Sequence, residues 1–196
     1  NQGNIFTSSF PSISADGRFV AFVSAATNLV PGDTNNRNDI FVRDLSTNTT
    51  TRVSVDSAGN QANNNSFAIP SISGDGRFVA FSSEASNLVP GDTNGSRDIF
   101  VRDTLTNTTT RVCVDSAGNQ GNDISFSTSI STNGRFVAFD SSATNLVPGD
   151  TNTTTDIFVS DIGNTPGVIN TPSNNINGTP GNDNLTGTPG NEIING

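Results

Sequence analysis

The chain contains no histidine, lysine, tryptophan, tyrosine or methionine, and its single cysteine is Cys113. Without His or Lys there is no ordinary general base for a serine nucleophile, and Schiff-base chemistry is excluded. One cysteine cannot make a disulfide framework, so it leaves the redox compartment open. All nine cations are arginines, scattered against 18 acidic residues for a net charge of −9. A chain without basic clusters lacks the means to neutralise phosphates, which argues against a nucleic-acid partner. The apolar content is 31%, and no apolar run approaches the length of a membrane span or a signal peptide. The chain opens on Asn1 rather than Met, which predicts a processed or partial product.

Against these absences stands a repetition. Asn-Leu-Val-Pro-Gly-Asp-Thr-Asn, followed by Asp-Ile-Phe-Val, begins at Asn28, Asn87 and Asn145, in steps of 59 and 58 residues. Gly-Arg-Phe-Val-Ala-Phe recurs with it at Gly17, Gly76 and Gly134. A fixed period of this kind marks an array that must be read per repeat.

Each repeat reads as four short strands. In the second copy they are predicted at Ser66 to Ser73, Arg77 to Ser82, Asp98 to Asp103 and Thr109 to Val114. Asp-Gly or Asn-Gly separates the first two, and both pairs accept the positive φ of hairpin turns. Apolar residues fall on both faces of the second and third strands, so the strands are expected to be covered on both sides. Four antiparallel strands buried on two faces and repeated in tandem describe β-propeller blades. The connection between strands two and three runs to about 15 residues (83–97), far beyond a usual hairpin loop.

Ser-x-Asp-Gly-Arg-Phe-Val-Ala-Phe-x-Ser followed by Asp-Ile-Phe-Val-Arg-Asp resembles the TolB-type, WD-like β-propeller repeat, over residues 5 to 162. The resemblance implies a propeller fold serving as an interaction platform, without implying one activity. Repeats are expected at about 5–56, 66–115 and 125–162. The third copy degrades after Asp161. Ser160 replaces the arginine found at Arg43 and Arg102, and Val168 to Thr171 is expected to supply a weak fourth strand. Three blades are too few for a typical ring of four to eight. An incomplete ring or open array is therefore predicted, completed by further blades or by neighbouring chains.

After a linker at 163–177, Gly-Thr-Pro-Gly-Asn-Asp and Gly-Thr-Pro-Gly-Asn-Glu start nine residues apart, at Gly178 and Gly187. This tail, 178–196, resembles the RTX calcium-binding nonapeptide, which implies a short β-roll with Asp183 as the ligand position. Glu192 departs from that pattern, and the tail is expected to continue beyond Gly196. The resemblance also implies export to a calcium-rich exterior and a bacterial source.

The long loop holds the best candidate chemistry. Asp33, Asn35 and Asp39, with their copies Asp92, Asn94, Asp98 and Asp150, Asn152, Asp156, place side-chain oxygens at positions 1, 3 and 7. Ca²⁺ takes six to eight oxygen ligands, and Asp/Asn alternation in a tight loop can supply several. Equally, Asp33 and Asn35 can make Asx-turns with Asp39 capping the hairpin. Arg43-Asp44, Arg102-Asp103, Arg52 and Arg111 are expected to form ion pairs between blades, using the bidentate reach of arginine. Asn48, Asn107 and Asn152 each begin an Asn-x-Thr triplet, a frequent coincidence in a chain so rich in both residues. Glu84 and Asp140 stand out as acids outside the repeating pattern of the blades, too little for a carboxylate-pair hydrolase.

The sequence thus predicts a secreted, non-enzymatic structural or adhesive repeat protein, extracellular or at the cell surface. It would be a homo-oligomer or polymer, joined through blade edges and stabilised by calcium, with cell-surface or matrix glycans or proteins as further partners. The alternatives are an interaction module that binds a protein or glycan without polymerising, and an accessory domain of a larger secreted hydrolase.

Overall fold

The computed structural model of the protein describes residues 3–4, 10–163 and 175–177. They form three four-stranded antiparallel sheets, each a simple meander. The first contains β1 (Ser12–Ile13), β2 (Phe19–Ser24), β3 (Asp39–Asp44) and β4 (Thr49–Arg52). The second contains β5 (Ser66–Ile72), β6 (Phe78–Ser83), β7 (Asp98–Asp103) and β8 (Thr108–Arg111). The third contains β9 (Ser125–Ile130), β10 (Phe136–Ser141), β11 (Asp156–Asp161) and β12 (Asn175–Asn177). The architecture is all-β and blade-like, and the described residues close no ring.

The strands follow the sequence pattern with small shifts. β7 has the predicted bounds, while β8 stops at Arg111 because Val114 turns away to bridge Gln120 at the entry to the next blade. The fourth strand of the third sheet is Asn175–Asn177. It lies inside the stretch 163–177 predicted as linker, and Val168 to Thr171 lies outside the described residues.

Packing is between neighbouring sheets. Ala21, Val23, Ile40 and Val42 of the first sheet meet Ile72, Val79, Phe81 and Phe100 of the second in one core. Phe78, Ala80, Ile99 and Val101 on the opposite face of the second meet Ile130, Val137, Phe139 and Phe158 of the third in another. Cross-strand Phe pairs stiffen each blade, with ring centroids 5.8 Å apart for Phe22–Phe41, 5.9 Å for Phe81–Phe100 and 5.7 Å for Phe139–Phe158. Each fully buried Phe contributes about 1.5–3 kcal/mol relative to exposure.

Burial on both faces, expected of every blade, holds only for the middle one. All residues of β6 and β7 are buried. β10 and β11 alternate, with Phe136 39% and Ile157 38% exposed on the face turned away from the second sheet. The physical reason is plain: the outer sheets have one neighbour each.

Candidate functional site

The loops between the second and third strands of each blade, residues 25–38, 84–97 and 142–155, are clasps. In the first, Asn35 donates from Nδ2 to Asp39 at 2.9 Å and to the Ala62 carbonyl at 3.1 Å, while its Oδ1 accepts the Arg37 N–H at 3.0 Å. Thr34 and Gln61 exchange bonds across the same gap, at 3.3 and 2.7 Å. The loop is long because it must reach the chain leaving β4. The second copy repeats these contacts through Asn94, Gly121, Thr93 and Gln120.

Beneath each of the first two clasps lies a buried ionic cluster. Register places Arg52 opposite Phe41 and Arg111 opposite Phe100, so that each guanidinium reaches back under its own loop. Arg52 lies 3.1 Å from Asp33 and 3.4 Å from Asp39. Arg111 lies 3.3 Å from Asp92 and 3.2 Å from Asp98. Asp39 and Asp98 are wholly buried. The Ser54 hydroxyl donates to Asp39 at 2.6 Å and accepts the Ile40 N–H. Cys113 takes that place in the second blade, with Sγ 3.2 Å from Asp98 and 3.2 Å from the Ile99 nitrogen.

Burial pushes the Asp39 carboxyl above its ordinary range, against the pull of Ser54, Asn35 and Arg52. Asp92 is pushed up to about 6, first by burial and then by the nearby Asp98 charge. Burial also raises the Cys113 thiol, which suits an inert packing residue. In both clusters a guanidinium is the cation between the carboxylates, and the Asn amide turns its N–H rather than its oxygen toward the second Asp. Asp33, Asn35, Asp39 and Asp92, Asn94, Asp98 are therefore brought together, around arginine.

The third loop differs. Asn152 donates to Asp156 at 3.1 Å and accepts the Thr154 N–H at 2.8 Å, as in the other copies. No arginine follows: Asn177 occupies the register position opposite Phe158. Asp150 Oδ1 is buried with no hydrogen-bond partner, and no ion pair to Asp150 or Asp156 appears among the described residues. Asp183, the ligand position of the tail, lies outside the described residues.

Among the described residues, the expected ion pairs between blades do not form. Arg18–Asp44 at 2.8 Å, Arg77–Asp103 at 2.6 Å and Arg135–Asp161 at 2.7 Å are each internal to one sheet, as are the Arg52 and Arg111 pairs. The reason is register: Phe19 faces Asp44 and Phe78 faces Asp103, so the preceding arginine forks onto that carboxylate while lying over its neighbour's ring. The fork holds Asp44 and Asp161 below the ordinary carboxylate range; at Asp103 burial pushes upward, and only the hydrogen bonds from Arg77, Leu105 and Thr106 together bring the group below that range. Sequence reasoning missed these pairs, although their shared spacing of 26 residues was visible. Arg102 alone of the named arginines crosses between blades, and it donates to the Asp56 carbonyl at 3.0 Å rather than to a carboxylate.

Glu84, an acid outside the repeat, pairs with Arg97 at 3.4 Å, while Asp140 sits half-buried in β10. The groove between the first and second sheets is lined by Phe19, Asp44, Thr51, Arg52 and Arg102, and its one carboxylate is already held by Arg18. Among the described residues no group of three or more acids or cysteines converges to hold a metal.

No family model matches the chain, and neither does any curated protein. Solved structures bear a distant similarity. TolB from Acinetobacter baumannii is 23% identical, with a TM-score of 0.48 over 83% of this chain and 31% of its own. A putative TolB from Agrobacterium tumefaciens is 18% identical, with a TM-score of 0.49 over 81% of this chain and 47% of its own. The acylaminoacyl peptidase of Pyrococcus horikoshii is 16% identical, with a TM-score of 0.46 over 81% and 23%. The chain thus spans less than half the length of each.

Proposed function

We propose that this is a non-enzymatic structural or adhesive repeat protein of the cell exterior, which associates with further copies of itself into an extended assembly. The observation that carries this reading is the pair of open blade faces. Phe136 and Ile157 at one end of the array, and Ile13 at the other, are exposed on surfaces that the middle blade buries. Exposed apolar faces framed by polar loops are a mark of association surfaces. The outermost strands β4 and β8 read Thr-Thr-Thr-Arg, short and polar as protected edges are. Association through faces is therefore favoured over association through strand edges.

Calcium enters this reading at the third loop. A divalent cation between Asp33 and Asp39, or Asp92 and Asp98, would have to displace a buried guanidinium. Asp150 and Asp156 have no such competitor, and the partnerless Asp150 oxygen fits a hard cation held by those two carboxylates and loop carbonyls. The RTX-like tail, with Asp183, supports the same chemistry and an exported location. The test is native mass by light scattering and melting temperature, in EDTA and in millimolar Ca²⁺, for the wild type and Asp150→Asn. Ca²⁺ should raise the wild-type melting temperature and leave the variant unmoved. Indifference of the wild type to chelation removes calcium from the reading, and a monomer at every concentration removes self-association.

A further inference from the structure

The two internal joints of the array are built alike, and each has a direction. At the first, the ring of Phe19 in β2 covers Gly76 in the turn of the next blade so closely that a Cβ there would lie 2.1 Å from it. At the second, Phe78 covers Gly134, where a Cβ would lie 2.4 Å away. The Ala15 N–H donates to the Gly74 carbonyl at 3.0 Å, and the Gly74 N–H to the Thr132 carbonyl at 2.8 Å. The Ile72 N–H reaches Ser12 Oγ at 3.4 Å, and the Ile130 N–H reaches Ser71 Oγ at 2.9 Å.

Among the described residues, each outer sheet carries the unfilled half of this joint. Phe136 stands where Phe19 and Phe78 stand, at the start of the second strand, and is 39% exposed against 7% for Phe78. Ile157, the counterpart of Ile99, is 38% exposed against 0%. At the other end, a Cβ on Gly17 would meet nothing within 4 Å. Ile13, the counterpart of Ile72 and Ile130, is 59% exposed against 7% and 8%. Ser129 is exposed at the position of the acceptors Ser12 and Ser71. One surface offers a ring and lacks a glycine; the other offers the glycine and lacks a ring.

We infer that the occupant of each open face is a second copy of this chain, joined head to tail, with Phe136 of one copy covering Gly17 of the next. This rests on the self-association proposed above and adds its geometry. A second copy fits by continuity, because the chain contains both halves of a joint that it already makes twice. Because the halves differ, the contact is heterologous, and it produces a closed ring or an open filament rather than a two-fold dimer. The joint between copies lacks one contact that the first internal joint makes and that the second, where Ser160 replaces the arginine, lacks as well. The Asp56–Asn60 turn, where the Asp56 carbonyl receives Arg102, recurs at Asp115–Asn119, and its sequence Asp-Ser-Ala-Gly-Asn does not recur after β11. Arg43, in the first sheet, bonds to Thr50 and Asn48 of its own blade, as Arg102 does to Thr109 and Asn107 of its own.

The test uses two single variants of the full chain. Gly17→Asn keeps the turn, since Asn tolerates positive φ, and places side-chain atoms where the ring must sit. Phe136→Thr removes the ring at a strand position that favours β-branched residues. Analytical ultracentrifugation should show wild type associating, and each variant alone weakened at least tenfold. An equimolar mixture should form a two-chain complex and stop there, because one good joint remains between the intact tail of one variant and the intact head of the other. Circular dichroism checks folding, and Ile13→Thr and Ile157→Ser replace either variant that unfolds. Wild-type assembly with unaltered variants, or variants that fail to complement on mixing, overturns the joint while leaving self-association standing. A wild type that stays monomeric overturns both.

Discussion

Replacing Arg111 with methionine leaves two carboxylates facing each other in a dry interior, and the cost follows from their surroundings. The arginine side chain is 10% exposed, Asp92 is 4% and Asp98 is 0%, so water can take over little of the lost solvation. Removing one partner of such a buried pair typically costs about 3–5 kcal/mol, a large part of the roughly 5–15 kcal/mol that holds a domain together. At about 2–4 °C per kcal/mol for a chain of this size, the melting temperature should fall by roughly 6–20 °C. The loss depends on pH with a definite sign. Asp92 is raised in the folded state to about 6 from 3.8, and Arg111 is one of the influences holding it down. A carboxyl raised by folding favours the native state most fully below its unfolded value, and that contribution is lost as pH rises through the folded value. Taking the guanidinium away moves Asp92 further up. The gap between variant and wild type should therefore be widest above pH 7 and narrowest near pH 4. Adding Asp92→Asn to the variant should restore part of the difference at neutral pH. Thermal unfolding followed by circular dichroism at pH 5 and pH 8 measures it. A fall of less than about 2 °C, or one equal at both pH values, would refute the idea that arginine is the counter-ion on which this loop depends.

Two more predictions use the repeat as its own control. Cys113→Ser places in the second blade the hydroxyl that Ser54 donates to Asp39 in the first, and should be neutral or stabilise by about 1 kcal/mol; the native thiol, wholly buried, should resist alkylation until unfolding, and fast labelling would contradict its place. Gly76→Ala and Gly17→Ala both put a Cβ on a positive-φ turn residue, at about 1–2 kcal/mol, but only the former drives it into the Phe19 ring. Chemical denaturation should show Gly76→Ala to be clearly the worse, and equal losses would mean that the ring moves aside freely.

Much of the fold could be read in advance because its signals are local. Asp-Gly and Asn-Gly mark the turns, and Asp-Ile-Phe-Val-Arg-Asp defines β7 to the residue. Contacts set by register were harder. The fork from Arg77 to Asp103 crosses a hairpin whose length had to be known before those residues could be seen as neighbours. The acidity of the candidate loops is plain in the sequence, yet the counter-ion of the first two comes from β4 and β8, 13 residues beyond the last aspartate. The strand Asn175–Asn177 gave no signal at all: it is short and polar, and it pairs because β11 offers an open edge. By sequence pattern Asn94 and its copies are oxygen donors to a metal, whereas their amide hydrogens face the acids.

All the ion pairs among the described residues are contracted within a single blade. Among the described residues, what passes between blades is apolar surface, backbone and neutral hydrogen bonds, and the arginine-to-carbonyl contact of Arg102. Copy number is thereby decoupled from electrostatics. A gene that gains or loses one whole unit by unequal recombination creates no orphaned buried charge, and the lengthened or shortened product meets the same kind of joint at every seam. Such a chain can change length over generations as freely as a necklace takes another bead, and selection can act on length alone.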